Sequence, residues 1–90
     1  MTAGHTPRAS VKLYTRPGCH LCDEAKREMT AAACEDLYEL EEVNIDTDAE
    51  LHRRYGWDIP VVTVNGALAF KHRLTRDAFR DRIRRALKSS

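Results

Sequence analysis

Cys19-His20-Leu21-Cys22 places two thiols three residues apart. On a helix that spacing sets both side chains on one face, with Cβ atoms roughly 5 to 6 Å apart, so a disulfide closes after small adjustment. The chemistry such a pair supports is thiol–disulfide exchange. A thiolate attacks a disulfide sulfur in line and leaves a mixed disulfide; a second thiol on the same face then expels the product. The same two residues also suit a metal knuckle or an inert surface pair, and spacing alone does not choose among the three.

The elements around the pair narrow the choice. Val11-Lys12-Leu13-Tyr14-Thr15 is a β-branched and aromatic run that breaks at Arg16-Pro17-Gly18, which reads as a strand entering a turn. Leu21, Ala25, Met29 and Ala32 then recur at steps of four and three, an amphipathic helix running to about Cys34. Cys19 therefore stands at a helix start, where free N–H groups and the positive end of the dipole favour a thiolate. Cys22, a turn further in, is more shielded. Charged His20 and Arg16 would stabilise the Cys19 thiolate, whereas Asp23 and Glu24 oppose it.

Ninety residues make one domain with one modest core. Hydrophobic residues at 42% and charged residues at 32% are ordinary for a folded chain and argue against disorder. No apolar run approaches the ~20 residues that span a bilayer, and the first residues carry no apolar leader core. Residues 1–10 read as a polar tail and 11–88 as the folded domain. Three cysteines without an export signal do not suggest a secreted disulfide scaffold. The expectation is a cytoplasmic monomer. A formal charge of +1 gives no reason to expect nucleic-acid binding, and no membrane association is expected. That net value hides eight acids and no Lys or Arg between Glu35 and Glu50, and eight bases between Lys71 and Lys88. Two solvated faces are the simpler reading, with a docking surface for a charged partner as the sharper one.

Further along, Leu40 to Ile45 reads as a second strand, with its alternation slipping at Glu41-Glu42. Thr47 and Glu50 form a capping-box pattern for a short helix through Leu51 and Tyr55 that Gly56 can end. Pro60 precedes Val61-Val62-Thr63-Val64, and Asn65-Gly66 turns that strand into Ala67 to Lys71. Thr75 caps a last helix with Leu74 and Phe79 as its staple and Ile83 and Leu87 on its apolar stripe. The order is β-α-β-α-β-β-α. A right-handed crossover makes the first two strands parallel and the hairpin adds an antiparallel pair. The fold class is therefore α/β, a four-stranded mixed sheet with helices on both faces. A reacting centre in such a sheet belongs at the carboxyl ends of the parallel strands, where Cys19 is.

Tyr14-Thr15-Arg16-Pro17-Gly18-Cys19-His20-Leu21-Cys22, Asp58-Ile59-Pro60-Val61 and Val64-Asn65-Gly66 together resemble the glutaredoxin branch of the thioredoxin superfamily, and the resemblance runs from Val11 to Leu87. It implies a thioredoxin/glutaredoxin fold and a thiol-disulfide oxidoreductase. In that reading Cys19 is the nucleophile and Cys22 the resolving thiol. Pro60 matches the family's cis-proline, packed against the dithiol, and the backbone of Ile59 pairs with extended substrate. Arg16 matches a basic residue that contacts a glutathione carboxylate. The redox-active Cys19–Cys22 disulfide replaces any bound cofactor, with glutathione as a possible cosubstrate. The partners implied are protein disulfides and a reductant, either glutathione or an enzyme like thioredoxin reductase.

The chain departs from that family at two points. His20-Leu21 stands where Pro-Tyr is usual, and Phe70-Lys71-His72-Arg73 stands near where a Gly-Gly pair and an Asp contact glutathione. Weak glutathione binding is the expectation. Tuning of the dithiol falls to His20 and Tyr14. Tyr14 and Trp57 otherwise read as core or rim packing, Cys34 as a buried structural thiol, and His5, His52 and His72 as surface or loop residues. Two other functions stay open. One is a metal or iron–sulfur binder using Cys19 and Cys22, although no second CxxC or Cys-His pair completes four ligands in one chain. The other is a redox-inactive docking module of the same fold.

Overall fold

Ala9, Val11 and Leu13 are buried while Ser10 and Lys12 between them are exposed, the period-two pattern of a strand with one face in a core. In the computed structural model, which describes residues 8–88, this strand is β1 (Ala9–Thr15) and it begins two residues ahead of the expected Val11. Residues 1–7 of the expected tail, His5 among them, lie outside the described residues.

The remaining strands are β2 (Tyr38–Asn44), β3 (Val61–Val64) and β4 (Ala67–Lys71). They form one mixed sheet in the order β2-β1-β3-β4. β2 runs parallel to β1, and β3 runs antiparallel to it with Val11 opposite Val64 and Leu13 opposite Val62. That register stacks Val11, Leu13, Val62 and Val64 on one face, where Ala25 and Met29 of helix α1 (His20–Ala31) and Phe79, Ile83 and Ala86 of helix α3 (Arg76–Lys88) complete the core. Phe79 meets Tyr38 edge-on at 5.2 Å and lies 6.4 Å from Phe70. On the opposite face Tyr14 stacks against Tyr55 of helix α2 (Ala49–Tyr55), with ring centres 4.6 Å apart. The expected α/β class, element order and helices on both faces are all present.

Asn65 (φ +52°) and Gly66 (φ +84°) form the β3–β4 turn in left-handed conformations, the geometry that Asn-Gly favours. Asn65 also fastens the hairpin to β1: its N–H donates to the Ser10 carbonyl at 2.7 Å and its Oδ1 accepts the Ser10 N–H at 2.8 Å. Thr75 caps α3 as expected, its Oγ1 accepting the Ala78 N–H at 3.2 Å.

Three further boundaries differ from the sequence expectation. α1 stops at Ala31 rather than near Cys34, because Ala33 turns left-handed (φ +58°) and the Ala32 carbonyl is taken by Arg80 Nε of α3 at 2.9 Å. A helix end satisfied by a distant guanidinium leaves no local stop signal. β2 spans Tyr38–Asn44 and releases Ile45, fully buried, into a 3₁₀ turn. It is an edge strand, so only one side pairs and acidic side chains guard the other, which is why its alternation fails at Glu41-Glu42. α2 is capped by Asp48 rather than Thr47. Asp48 Oδ1 accepts the N–H groups of Glu50 and Leu51 at 2.8 and 3.2 Å, while Thr47 Oγ1 donates to the Asn44 carbonyl and closes the preceding turn. A carboxylate at this position meets the positive helix end with a full charge.

α1 and α3 are tied by Glu28, whose Oε1 accepts the Arg76 N–H at 2.9 Å and whose Oε2 accepts Arg76 Nη2 at 3.0 Å. Hydrogen bonds from that guanidinium, then from the backbone N–H, hold the Glu28 carboxyl below its ordinary value of 4.5. A lowered native pKa means that the unfolded chain binds more protons between the two values. The stabilisation is therefore complete above the ordinary value and is lost as pH falls through the native one. Glu28→Gln is expected to be less stable than the natural protein near neutrality, with the gap narrowing in acid. Urea denaturation across that range checks it, and a gap that widens in acid would contradict the assignment.

Candidate functional site

The turn Arg16-Pro17-Gly18-Cys19 carries the chain from β1 into α1. The Cys19 N–H donates to the Arg16 carbonyl at 3.3 Å and Gly18 sits at φ +79°, so proline precedes glycine as a type II turn requires. Glycine is needed there because a Cβ disfavours that φ. Cys19 is the N-cap of α1, and its Sγ accepts the Cys22 N–H at 3.1 Å. The helix start thus lends one of its free donors to the first sulfur. The Cys19 and Cys22 sulfurs are at bonding distance, with Cα atoms 5.2 Å apart. Cys22 is buried and Cys19 is partly accessible, an asymmetry that offers one sulfur to an incoming molecule and shields the other.

The sheet brings the second part of the candidate site to the same end. Tyr14, one residue from the end of β1, pairs with Val61, the first residue of β3, so Ile59 and Pro60 lie at the edge from which Arg16 and Cys19 depart. The Ile59-Pro60 bond is cis. The Ile59 N–H donates to the Tyr55 carbonyl at 3.1 Å, so one of its two backbone groups is engaged within the chain.

Charged side chains surround the dithiol in pairs. Arg16 Nη2 lies 3.4 Å from Asp46 Oδ1, and His52 Nε2 lies 3.8 Å from the same oxygen. His20, largely exposed, meets Glu24 at 2.9 Å one helical turn away. At the β4 exit Asp58 pairs with Lys71 at 3.5 Å and faces His72 at 3.8 Å. There the His72 N–H donates to the Pro60 carbonyl at 2.8 Å, with His72 at φ +67°. Phe70, at the start of this stretch, turns inward towards Phe79.

Cys34 is remote from the dithiol in the fold: it is buried in the core cluster beyond the end of α1. Burial pushes its thiol pKa up, which disfavours the reactive thiolate there. Trp57 departs from the expectation of packing: it is 94% exposed. Asp46 was not legible as a neighbour of Arg16, because their contact depends on how β2 ends beside β1. The His20–Glu24 pair had a readable signal in its spacing of four. Among the described residues no group of three or more His, Cys, Asp and Glu side chains is placed to hold a metal ion, and no helix is long and apolar enough to cross a membrane.

Residues 10–84 match the glutaredoxin-like domain family (DUF836). The chain belongs to that family. A glutaredoxin-like protein of Dictyostelium discoideum, named as a YDR286C homolog, is 32% identical over 74 residues, covering 76% of this chain and 68% of the relative. A thioredoxin of Methanocaldococcus jannaschii is 29% identical over 83 residues, covering 89% of this chain and 98% of the relative. Among solved structures, the target protein XcR50 from X. campestris superposes with a TM-score of 0.73 at 28% identity, over 83% of this chain and 96% of that one. In this glutaredoxin-like chain the pair at disulfide distance is Cys19–Cys22, in the thioredoxin-type fold its relatives share.

Alkylation of the native protein should separate the three thiols. After full reduction Cys19 should label in the native protein, and buried Cys22 and Cys34 should lag until the chain is denatured. After mild oxidation only Cys34 should label on denaturation. Intact mass and peptide mapping check this, and any bridge to Cys34 would contradict the placement described.

Proposed function

We propose that this glutaredoxin-like protein is a thiol-disulfide oxidoreductase that reduces protein or mixed disulfides through Cys19 and Cys22. The observation that carries the proposal is the cap: Cys19 Sγ accepts the Cys22 N–H at the first turn of α1, with Cys22 buried behind it. A sulfur held by a backbone donor at a positive helix end is stabilised as the thiolate.

The Cys19 thiolate attacks one sulfur of the substrate disulfide, forming a mixed disulfide as the other sulfur leaves as a thiolate and takes up a proton. Cys22 gives up its proton and attacks Cys19 Sγ, closing the Cys19–Cys22 disulfide and releasing the second substrate thiol. Two electrons pass from the dithiol to the substrate. An outside thiol reductant, glutathione or an enzyme like thioredoxin reductase, returns them. No bound cofactor enters the cycle. In this reading Arg16 and the Ile59 carbonyl beside Pro60 receive the substrate, and His20 and Tyr14 tune the dithiol from either side. The protein acts as a cytoplasmic monomer on protein disulfides, without nucleic acid or membrane.

Cys19→Ser should abolish disulfide reduction. Cys22→Ser should still attack but fail to release, so a mixed disulfide accumulates and is visible by intact mass. Trapping by the Cys19 variant instead would reverse the two roles. Absorbance and metal analysis of freshly purified protein tests the other reading: a bound iron–sulfur cluster or stoichiometric metal would replace this proposal.

Glutathione should serve poorly as the reductant. It carries two carboxylates and an ammonium group. Arg16 can meet one of its carboxylates with donors that Asp46 leaves free, but Lys71 and His72, the groups near its other end, are already paired with Asp58. Losing two charge-assisted contacts of roughly 1.5 to 3 kcal/mol each weakens binding by on the order of a hundredfold or more. Turnover of a small mixed disulfide with glutathione and its reductase as the only electron source measures this. Rates equal to those of an ordinary dithiol glutaredoxin would show that the β4 exit supplies the missing contacts.

A further inference from the structure

Trp57 stands in water, two residues before Ile59, and it forms one wall of a surface hollow of about 280 Å³. The other lining residues are Arg16, His52, Arg53 and Gly56. A single exposed apolar side chain is ordinary on a protein surface. An indole set among guanidinium groups is different, because Trp and Arg are the residues that most often dominate binding surfaces. The hollow also has a fixed relation to the dithiol: Arg16 shares its turn with Cys19, and Trp57 belongs to the segment that delivers Ile59 and Pro60. Gly56 lines it without a side chain, and a Cβ there would lie 2.5 Å from the His52 carbonyl oxygen at the end of α2.

The lining contains basic side chains and no acid. Two acids touch those bases without lining the hollow. Asp46 lies 3.4 Å from Arg16 and 3.8 Å from His52, and Glu50 lies 3.4 Å from Arg53. These pairs are solvent-exposed and long, so each is weak. Each guanidinium has five N–H donors and keeps several for another acceptor. A carboxylate entering the hollow meets those donors directly, and the chain that carries it can lie along the indole.

We infer that this hollow docks an acidic, extended segment of the protein whose disulfide Cys19 attacks. The inference rests on the oxidoreductase reading and adds a substrate class to it: disulfides flanked by Asp or Glu. Carboxylates next to the scissile disulfide fall on Arg16 and Arg53, an adjacent apolar group covers Trp57, and the disulfide sulfur is brought over Cys19. Selectivity then lies in the hollow, and electron transfer stays with the dithiol.

Trp57 is the only tryptophan of the chain, so its emission reports docking with no chemistry required. The full chain carrying Cys19→Ser and Cys22→Ser is titrated with a short synthetic peptide that has glutamates on both sides of a central serine. Peptides with glutamine or lysine in place of glutamate serve as comparisons. The glutamate peptide should shift the emission saturably, bind roughly tenfold or more tightly than the glutamine peptide, and weaken as salt is added. The lysine peptide should give no shift. Arg53→Glu should remove the preference for glutamate, and calorimetry should show the same loss for Trp57→Ala.

In the second arm the reduced natural protein meets the same peptides with a central cysteine disulfide-bonded to a chromophoric thiol. The second-order rate should favour the glutamate peptide about tenfold, and Arg53→Glu and Trp57→Ala should bring the glutamate-to-glutamine ratio towards one. Equal affinities and equal rates for the three peptides would overturn the docking site and leave the oxidoreductase reading intact. Saturable binding of the glutamate peptide without reduction of any peptide would keep the docking site and remove the oxidoreductase reading. An emission shift that follows the protein's own concentration and not the peptide's would make a second copy of the chain the occupant, which also overturns the proposal.

Discussion

Everything at the candidate site depends on the register between β1 and β3. Tyr14 faces Val61 across that pair, and this alignment sets the cysteine turn and the Ile59-Pro60 segment at one end of the sheet although they lie some forty residues apart in the chain. A slip of one residue would send Val62 and Val64 away from the helices and bring Val61 and Thr63 into the core. The register is defended from both sides of β1. Leu13 and Val62 are held in the cluster around Phe79, and Asn65 is clamped to Ser10 through two hydrogen bonds at the opposite end of the hairpin. Core packing and turn chemistry thus act on the same alignment, and the site inherits its geometry from it.

What was legible in the sequence follows from how local each signal is. The period-two burial of β1, the Asn-Gly turn, the Thr75 cap and the cysteine pair at a helix start are each written within a few residues, and all of them appear in the structure. The end of α1 was not legible, because Arg80, forty-eight residues on, takes the Ala32 carbonyl. Nor was the limit of β2, whose edge position depends on which strand pairs with β1 on its other side. The capping of α2 failed for a smaller reason. Thr47 and Asp48 are adjacent and both cap helices well; the preceding 3₁₀ turn claims the first of them, and Asp48 is left to begin the helix.

The same distinction runs through the candidate site. The two cysteines, Arg16 and Pro60 could be read from motifs, whereas the partners that decide how those residues behave come from elsewhere in the chain. Asp46 reaches Arg16 from the turn after β2, and Asp58 fastens the β4 exit through Lys71 and His72. Exposure was the least legible property of all. Nothing in Gly56-Trp57-Asp58 distinguishes a packed indole from one left in water; in the fold it is Tyr55 that stacks on Tyr14, while Trp57 stays exposed.

The acids near the dithiol share one arrangement: Asp46, Glu24 and Asp58 each hold a basic side chain. Their negative charge would otherwise oppose a thiolate at Cys19, and pairing blunts it. The pairing has a second effect, on what can bind. In the proposed reading a small zwitterion reaches the spare donors of Arg16 and little else, whereas an extended chain meets those of Arg16 and Arg53 at once along a surface that already includes an apolar wall. In that reading, discrimination against a small thiol needs no steric barrier at the dithiol. It would follow from how many spare donors a ligand can reach at once, with the cysteine turn itself left open to any disulfide that a larger partner can hold in place.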